Sequence, residues 1–310
     1  MNVGYIRGLF ASCWRSGDYH DPEEQIATMS FMESIPRPVK TYHTKPYDRI
    51  SKHHGFDDKG RTVVVTGGAS GLGLNFSTAF AAAGAARVAL IGRSAGPPAE
   101  AKSSLSSKYP GTEFITYEAS ITDAPLMSSI LTSLGTVDVL ILNAAIAHRR
   151  AEATELTAVE MHEAFEMNTI ATFNLIKAFL ALPIPPSGRK TVLNVSSAAA
   201  NLLGSVLVGY GASKAAGVRV MQSFAAQFPS RKAEGDTERV RIISFHPGSF
   251  YTPGVAANFP SGMKLPWEDE DLPAIVYVNG FVYKCIERDV LLSIRSLHED
   301  LVAAKAKRYK

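Results

Sequence analysis

From Arg61 onward, short apolar runs rich in β-branched residues alternate with longer stretches whose apolar positions recur every three or four residues. The runs predict strands and the stretches predict helices. The first strand is "TVVVTGG", ended by glycines, and the "GLNFSTAFAAAGA" after it keeps helical spacing up to Gly84. The alternation continues through "RVALIG", a polar helix from about 98 to 108, "EFITYEA", a helix from about 123 to 134, and "VDVLILNAA". A long helix from about 157 to 182, the strand "KTVLNVSS", a helix around Tyr210 and the strand "VRIISFHPG" follow. "DVLLSIR" at 289–295 offers a last strand before a terminal helix. Strands apolar on both faces must be covered on both faces, which predicts a doubly wound, parallel α/β sheet.

Residues 1–58 show no such period and are rich in Pro, His, Tyr and charge, so an extended or disordered arm is expected ahead of one domain at 59–310. A hydrophobic fraction of 46% with 20% charged residues excludes a chain that is disordered throughout. The net charge is +3 and the lysines and arginines are scattered, so no nucleic-acid footprint is expected. No apolar run is long enough to span a bilayer, and no membrane partner is expected. Cys13 and Cys285 lie far apart without ligand spacing, which argues against a disulfide framework and a metal site and for a reducing, cytoplasmic setting. Arg7 and Arg15 ahead of the first acid, Asp18, leave a mitochondrial presequence as the alternative to a loose tail.

Chemistry gathers at the strand ends. Thr66-Gly67-Gly68-Ala69-Ser70-Gly71-Leu72-Gly73 joins the first strand to its helix. Glycines at 67, 71 and 73 permit a tight turn, close approach of backbone to a pyrophosphate and close helix packing, which predicts a dinucleotide site. Gly92 and Arg93 end the second strand, where a carboxylate would meet a ribose 2′-hydroxyl; a guanidinium there suits a 2′-phosphate, so NADP(H) is expected rather than NAD(H). The alternative is that Arg93 stacks on adenine or faces water. Tyr210 and Lys214 stand four apart and share one helix face. Either an amphipathic helix supplies the pair by chance, or the lysine charge favours the tyrosinate and draws the phenol down from about 10 toward working pH.

With Asn143, Asn168, Ser197 and "PGSFYT" at 247–252, these residues resemble the short-chain dehydrogenase/reductase family over about residues 60 to 255. Ser197 stands 13 residues before Tyr210, as that family has it. The resemblance implies a Rossmann-like fold with a seven-stranded parallel sheet and a homodimer or homotetramer. It implies cofactor contacts from Gly67, Ser70, Gly71, Leu72, Gly73, Arg93, Asn143, Tyr210, Lys214, Pro247, Gly248 and Thr252. Under it Tyr210 exchanges a proton with the substrate oxygen and Ser197 hydrogen-bonds that oxygen. Lys214 holds the nicotinamide ribose and tunes Tyr210, and Asn168 keeps a water relay in place.

The expected activity is NADP(H)-dependent interconversion of a carbonyl and a secondary alcohol on a small or medium apolar substrate. A lid at about 253–273, with Phe259, Met263 and Trp267, would cover that substrate. A cyclase or isomerase on the same fold is one alternative and a nucleotide-sensing binding protein another; the Ser197, Tyr210, Lys214 set speaks against the latter. The chain departs from the family at Leu142-Asn143-Ala144-Ala145, where Asn-Asn-Ala-Gly is usual, and at Ser120, where an acid is usual. The "LNAA" form and the arm "KTYHTKPY" are similar to fungal members from specialised metabolism.

Overall fold

Each predicted apolar run forms a strand of one parallel sheet. The computed structural model describes residues 58–94, 96–149, 151–201, 207–228, 239–248 and 292–293. The arm before Asp58, the lid at 253–273 and Thr252 lie outside the described residues. The strands are β1 (Thr62–Thr66), β2 (Arg87–Gly92), β3 (Glu113–Glu118), β4 (Val139–Leu142), β5 (Lys190–Val195), β6 (Val240–His246) and β7 (Leu292–Ser293). Their order is β3-β2-β1-β4-β5-β6-β7, and every pairing is parallel. The order reverses between β1 and β4; Val63 of β1 lies in register with Val88 of β2 on one side and Val139 of β4 on the other. This is the doubly wound, Rossmann-like arrangement, and its ligand crevice lies at the carboxyl ends of the strands flanking that reversal.

The helices are α1 (Gly71–Ala82), α2 (Gly96–Lys108), α3 (Ala124–Ser133), α4 (Ala158–Phe165), α5 (Ala171–Ala181) and α6 (Val208–Gln227). Period-two alternation splits β1 between two cores. Val63 and Val65 face Phe76 and Phe80 of α1, while Val64 faces the side covered by Met127 of α3 and Leu175 and Phe179 of α5. All three valines are fully buried, each contributing about 1.5–3 kcal/mol of transfer free energy.

Three local outcomes differ from the pattern along the chain. Helix α2 starts at Gly96 rather than near 98, because Pro97 and Pro98 sit in the first turn, where their missing N–H groups have no helical partner to lose. Organised structure reaches back beyond Arg61 to Asp58, whose N–H donates to Ala83 O and whose buried carboxylate pairs with Arg61 at 2.8 Å. The stretch expected to be one long helix is broken at Glu166–Ile170 by a π turn, joining α4 to α5. A π turn takes one extra residue into the helix and re-aims the side chains around it.

Candidate active site

The glycine turn closes on itself so tightly that side chains are excluded. Gly67 and Gly71 adopt φ of +64° and +47°, in the left-handed region that favours glycine. A Cβ on Gly73 would stand 2.0 Å from Gly67 O and 2.7 Å from Asn143 Nδ2. The buried Ser77 hydroxyl, one turn into α1, lies 3.0 Å from Gly68 O and 2.9 Å from Gly73 O and holds the loop from below. Thr66 links the turn to β4: its Oγ1 donates to Ile141 O and accepts from Asn143 N–H and Ala144 N–H. Asn143 completes the brace by donating Nδ2 to Thr66 O at 2.9 Å.

The start of α1 is left open to an anion. Ser70 is exposed at the N-cap in extended backbone, and its side chain makes no cap hydrogen bond. Leu72 is buried in the core, so only its backbone faces the turn. Unpaired N–H groups at a helix start, held open by glycines, fit a pyrophosphate.

Ser197, Tyr210 and Lys214 come together at the carboxyl end of β5. Ser197 caps a 3-10 turn (Ala198–Ala200), and its hydroxyl is near enough to the Tyr210 phenol to favour the phenolate. Tyr210 lies in the first turn of α6, and the Lys214 Nζ stands 5.8 Å from its ring centroid. Lys214 is buried and donates to Val195 O at 2.8 Å. Burial lowers its pKa to about 8.

The phenol does not behave as the spacing alone suggests. Burial raises the Tyr210 pKa, and the opposing influence is the Ser197 hydroxyl rather than the Lys214 charge. The expectation that Lys214 pulls the phenol down is therefore corrected for the protein by itself. Desolvation disfavours the phenolate more than the nearby Ser197 hydroxyl favours it.

Asn168 occupies the π turn and is almost fully buried. Its Oδ1 accepts from Ile146 N–H, and its two amide protons go to Ile146 O and to the Ser213 hydroxyl, all at 2.9 Å. Ser213 in turn donates to Tyr210 O at 2.9 Å. The side chain thus ties the loop after β4 to the first turns of α6. That loop is further held by Arg149 to Glu160 at 2.9 Å and by a bridge between Ala151 and Leu207, the residue before α6.

Arg93 is exposed just beyond β2, and Pro247 and Gly248 are half-buried just beyond β6, with Gly248 at φ +112°. The expected residues among those described therefore line one sheet edge. From β2 to β5 that edge spans about 14 Å at the usual strand spacing, so Arg93 and Tyr210 stand toward opposite ends of it. Reasoning along the chain missed Thr66 and Ser213 as braces and missed the π turn. Ser213 carried one usable sign: a hydroxyl three residues after Tyr210 on a helix reaches back to its carbonyl.

The profile of the short chain dehydrogenase family matches residues 61–261. The chain is 49% identical to the short chain dehydrogenase/reductase nsrO of Aspergillus novofumigatus, over 79% of this chain and 83% of that one. It is 44% identical to a short chain dehydrogenase/reductase of Claviceps purpurea, over 80% of this chain and 82% of the other. Among solved structures, levodione reductase superposes with a TM-score of 0.65 at 21% identity, covering 76% of this chain and 96% of that one.

Proposed function

Because the chain belongs to the short-chain dehydrogenase/reductase family, whose members are oxidoreductases working with a nicotinamide cofactor, we propose that it interconverts a carbonyl and a secondary alcohol with NADP(H). The substrate is a small or medium apolar molecule. The fungal relatives support placing the chain among the specialised-metabolism members of the family.

The observation that carries this reading is the meeting of the Ser197 hydroxyl, the Tyr210 phenol and the Lys214 ammonium beside a glycine turn too tight for a Cβ at 73. The nicotinamide group, when bound, supplies or accepts hydride. As a substrate carbonyl is reduced its oxygen gains negative charge, and Tyr210 gives that oxygen its phenolic proton. Ser197 donates a second hydrogen bond to the same oxygen, and the Lys214 ammonium stabilises the phenolate left behind. The raised pKa keeps Tyr210 protonated at neutral pH, the form that reduction uses. In the oxidative direction the phenolate takes the alcohol proton. Asn168 acts by position, through Ile146 and Ser213, since both its amide protons are committed.

Arg93 and the absence of a carboxylate at Gly92 support the 2′-phosphorylated cofactor. The test of the acid/base role is Tyr210→Phe, followed by NADPH absorbance against a panel of ketones and aldehydes. Turnover should fall on the order of 10²-fold or more, with NADPH binding retained. Turnover near that of the unaltered protein would end this mechanism.

A further inference from the structure

The turn that carries Ser197 and the helix that carries Tyr210 meet backbone to backbone. Ser197 Oγ accepts from Ala199 N–H at 3.2 Å, and its carbonyl accepts from Ala200 N–H at 3.1 Å. The hydroxyl and the turn therefore move as one piece.

Gly211, the residue after Tyr210, lies against that piece. A Cβ at 211 would stand 2.9 Å from the Ala199 carbonyl oxygen, closer than real Cβ contacts come, and 3.9 Å from Ala199 Cβ. The near atom belongs to the backbone and cannot swing aside as a long side chain would. Gly209, two residues earlier on the same helix, differs. Its added Cβ would meet side-chain atoms at ordinary distances, Leu156 Cδ2 at 3.4 Å and Met161 Sδ at 3.8 Å. Gly211 has no positive φ, so its bare Cα serves the contact and not the backbone angle.

We infer that Gly211 is a positioning residue: its missing side chain lets α6 close on the Ala198–Ala200 turn and sets how near the Ser197 hydroxyl stands to the Tyr210 phenol. This rests on the acid/base reading above. A methyl group at 211 needs the turn to retreat by about half an ångström to restore a 3.4 Å contact. The turn is only half-buried, so it can retreat without opening the core, and alanine is the better helix former. The fold and the glycine turn are spared while Ser197 is drawn off the phenol.

The experiment compares Gly211→Ala, Gly209→Ala, Ser197→Ala and the double variant Ser197→Ala with Gly211→Ala. The direct readout needs neither substrate nor cofactor: the 13Cζ resonance of Tyr210 at neutral pH, assigned by its loss in Tyr210→Phe. Gly211→Ala should move it as Ser197→Ala does, the double variant should move it no further, and Gly209→Ala should leave it in place. With NADPH and the ketones of the panel, Gly211→Ala should lower kcat about tenfold, since ångström-scale misplacement costs on the order of 10²-fold. NADPH affinity should stay within about twofold and Tm should not fall, because the site of dinucleotide contact and the helix are intact. In the Ser197→Ala background the further loss of kcat should vanish. A resonance unmoved by Gly211→Ala, or effects of the two substitutions that multiply, would overturn the inference. A silent Ser197→Ala in kcat would instead count against the acid/base reading, while the resonance still decides whether Gly211 sets the contact.

Discussion

Two lysines at opposite ends of β5 are both buried, Lys190 at 1% and Lys214 at 7% exposure, and their surroundings separate a cation that holds the fold from one that serves a ligand. Lys190 begins β5 at the amino edge of the sheet. Its Nζ donates to Phe179 O at 3.1 Å, Leu180 O at 2.9 Å and Leu182 O, which answers the open carbonyls at the end of α5. It also lies 5.5 Å from the Phe179 ring centroid. All three of its protons have acceptors. Among the described residues, Lys214, at the carboxyl edge, donates to Val195 O and otherwise faces the Tyr210 ring. Burial lowers the pKa of both, and that of Lys214 to about 8. A buried ammonium with donors still to place is suited to a ligand's hydroxyls; one with all three placed is a helix cap.

The largest effect on stability should come from the amino edge. Lys190→Met removes a donor from three carbonyls at the end of α5; Phe179 O keeps the Leu182 N–H, so two are left open, at about 1–3 kcal/mol for each buried acceptor. Calorimetry should show at least about 2 kcal/mol of lost stability, a fall in Tm of roughly 4–8 °C. Turnover per folded molecule should remain within about twofold. A variant that keeps its Tm, or loses activity out of proportion to its folded fraction, would break the contrast between the two lysines.

Lys214→Met should do the reverse: kcat/KM falls about 10²- to 10³-fold while Tm holds or rises. The pH dependence of stability sharpens this. The Lys214 pKa is about 8 in the fold against 10.5 unfolded, so between those values the unfolded chain binds more protons. Stability contributed by this group therefore rises as pH climbs from about 8 toward 10, by at most about 3 kcal/mol, and the full burial penalty applies below 8. Above pH 10 the raised Tyr210 pKa acts in the opposite direction, because the folded phenol keeps its proton longer. Urea titrations across pH 7 to 10 should show the rise in the unaltered protein and not in Lys214→Met.

The smallest effect concerns an exposed cation on the same carboxyl edge. Arg93→Ala should weaken NADPH about ten- to a hundredfold, about 1.4–2.7 kcal/mol, with NADH changed far less and Tm unmoved. Adding Gly92→Asp should turn the preference toward NADH by offering the ribose an acceptor. The new Cβ would stand 3.1 Å from Pro98 Cγ, so the start of α2 must yield by a few tenths of an ångström. The check is the ratio of kcat/KM for the two cofactors. A ratio indifferent to Arg93→Ala would move recognition of the ribose to another residue.

Much of this was legible along the chain because the signals are local. β-Branched runs apolar on both faces can only be strands covered on both sides, and the alternation of "TVVVT" with "GLNFSTAF" already implies the doubly wound sheet. The glycine turn and the four-residue spacing of Tyr210 and Lys214 follow from φ and from helix pitch. What the tertiary structure alone decided depends on groups far apart in the chain. The π turn at Glu166–Ile170 interrupts an apolar period that reads as continuous, and Asn168 within it reaches Ser213, 45 residues away. Asn143 braces a turn 77 residues before it through Thr66. The direction of the Tyr210 pKa was set in the same way, since desolvation is a property of everything packed around a group and no window of sequence contains it. Local rules choose the elements, and the order in which the strands lie side by side chooses which side chains meet.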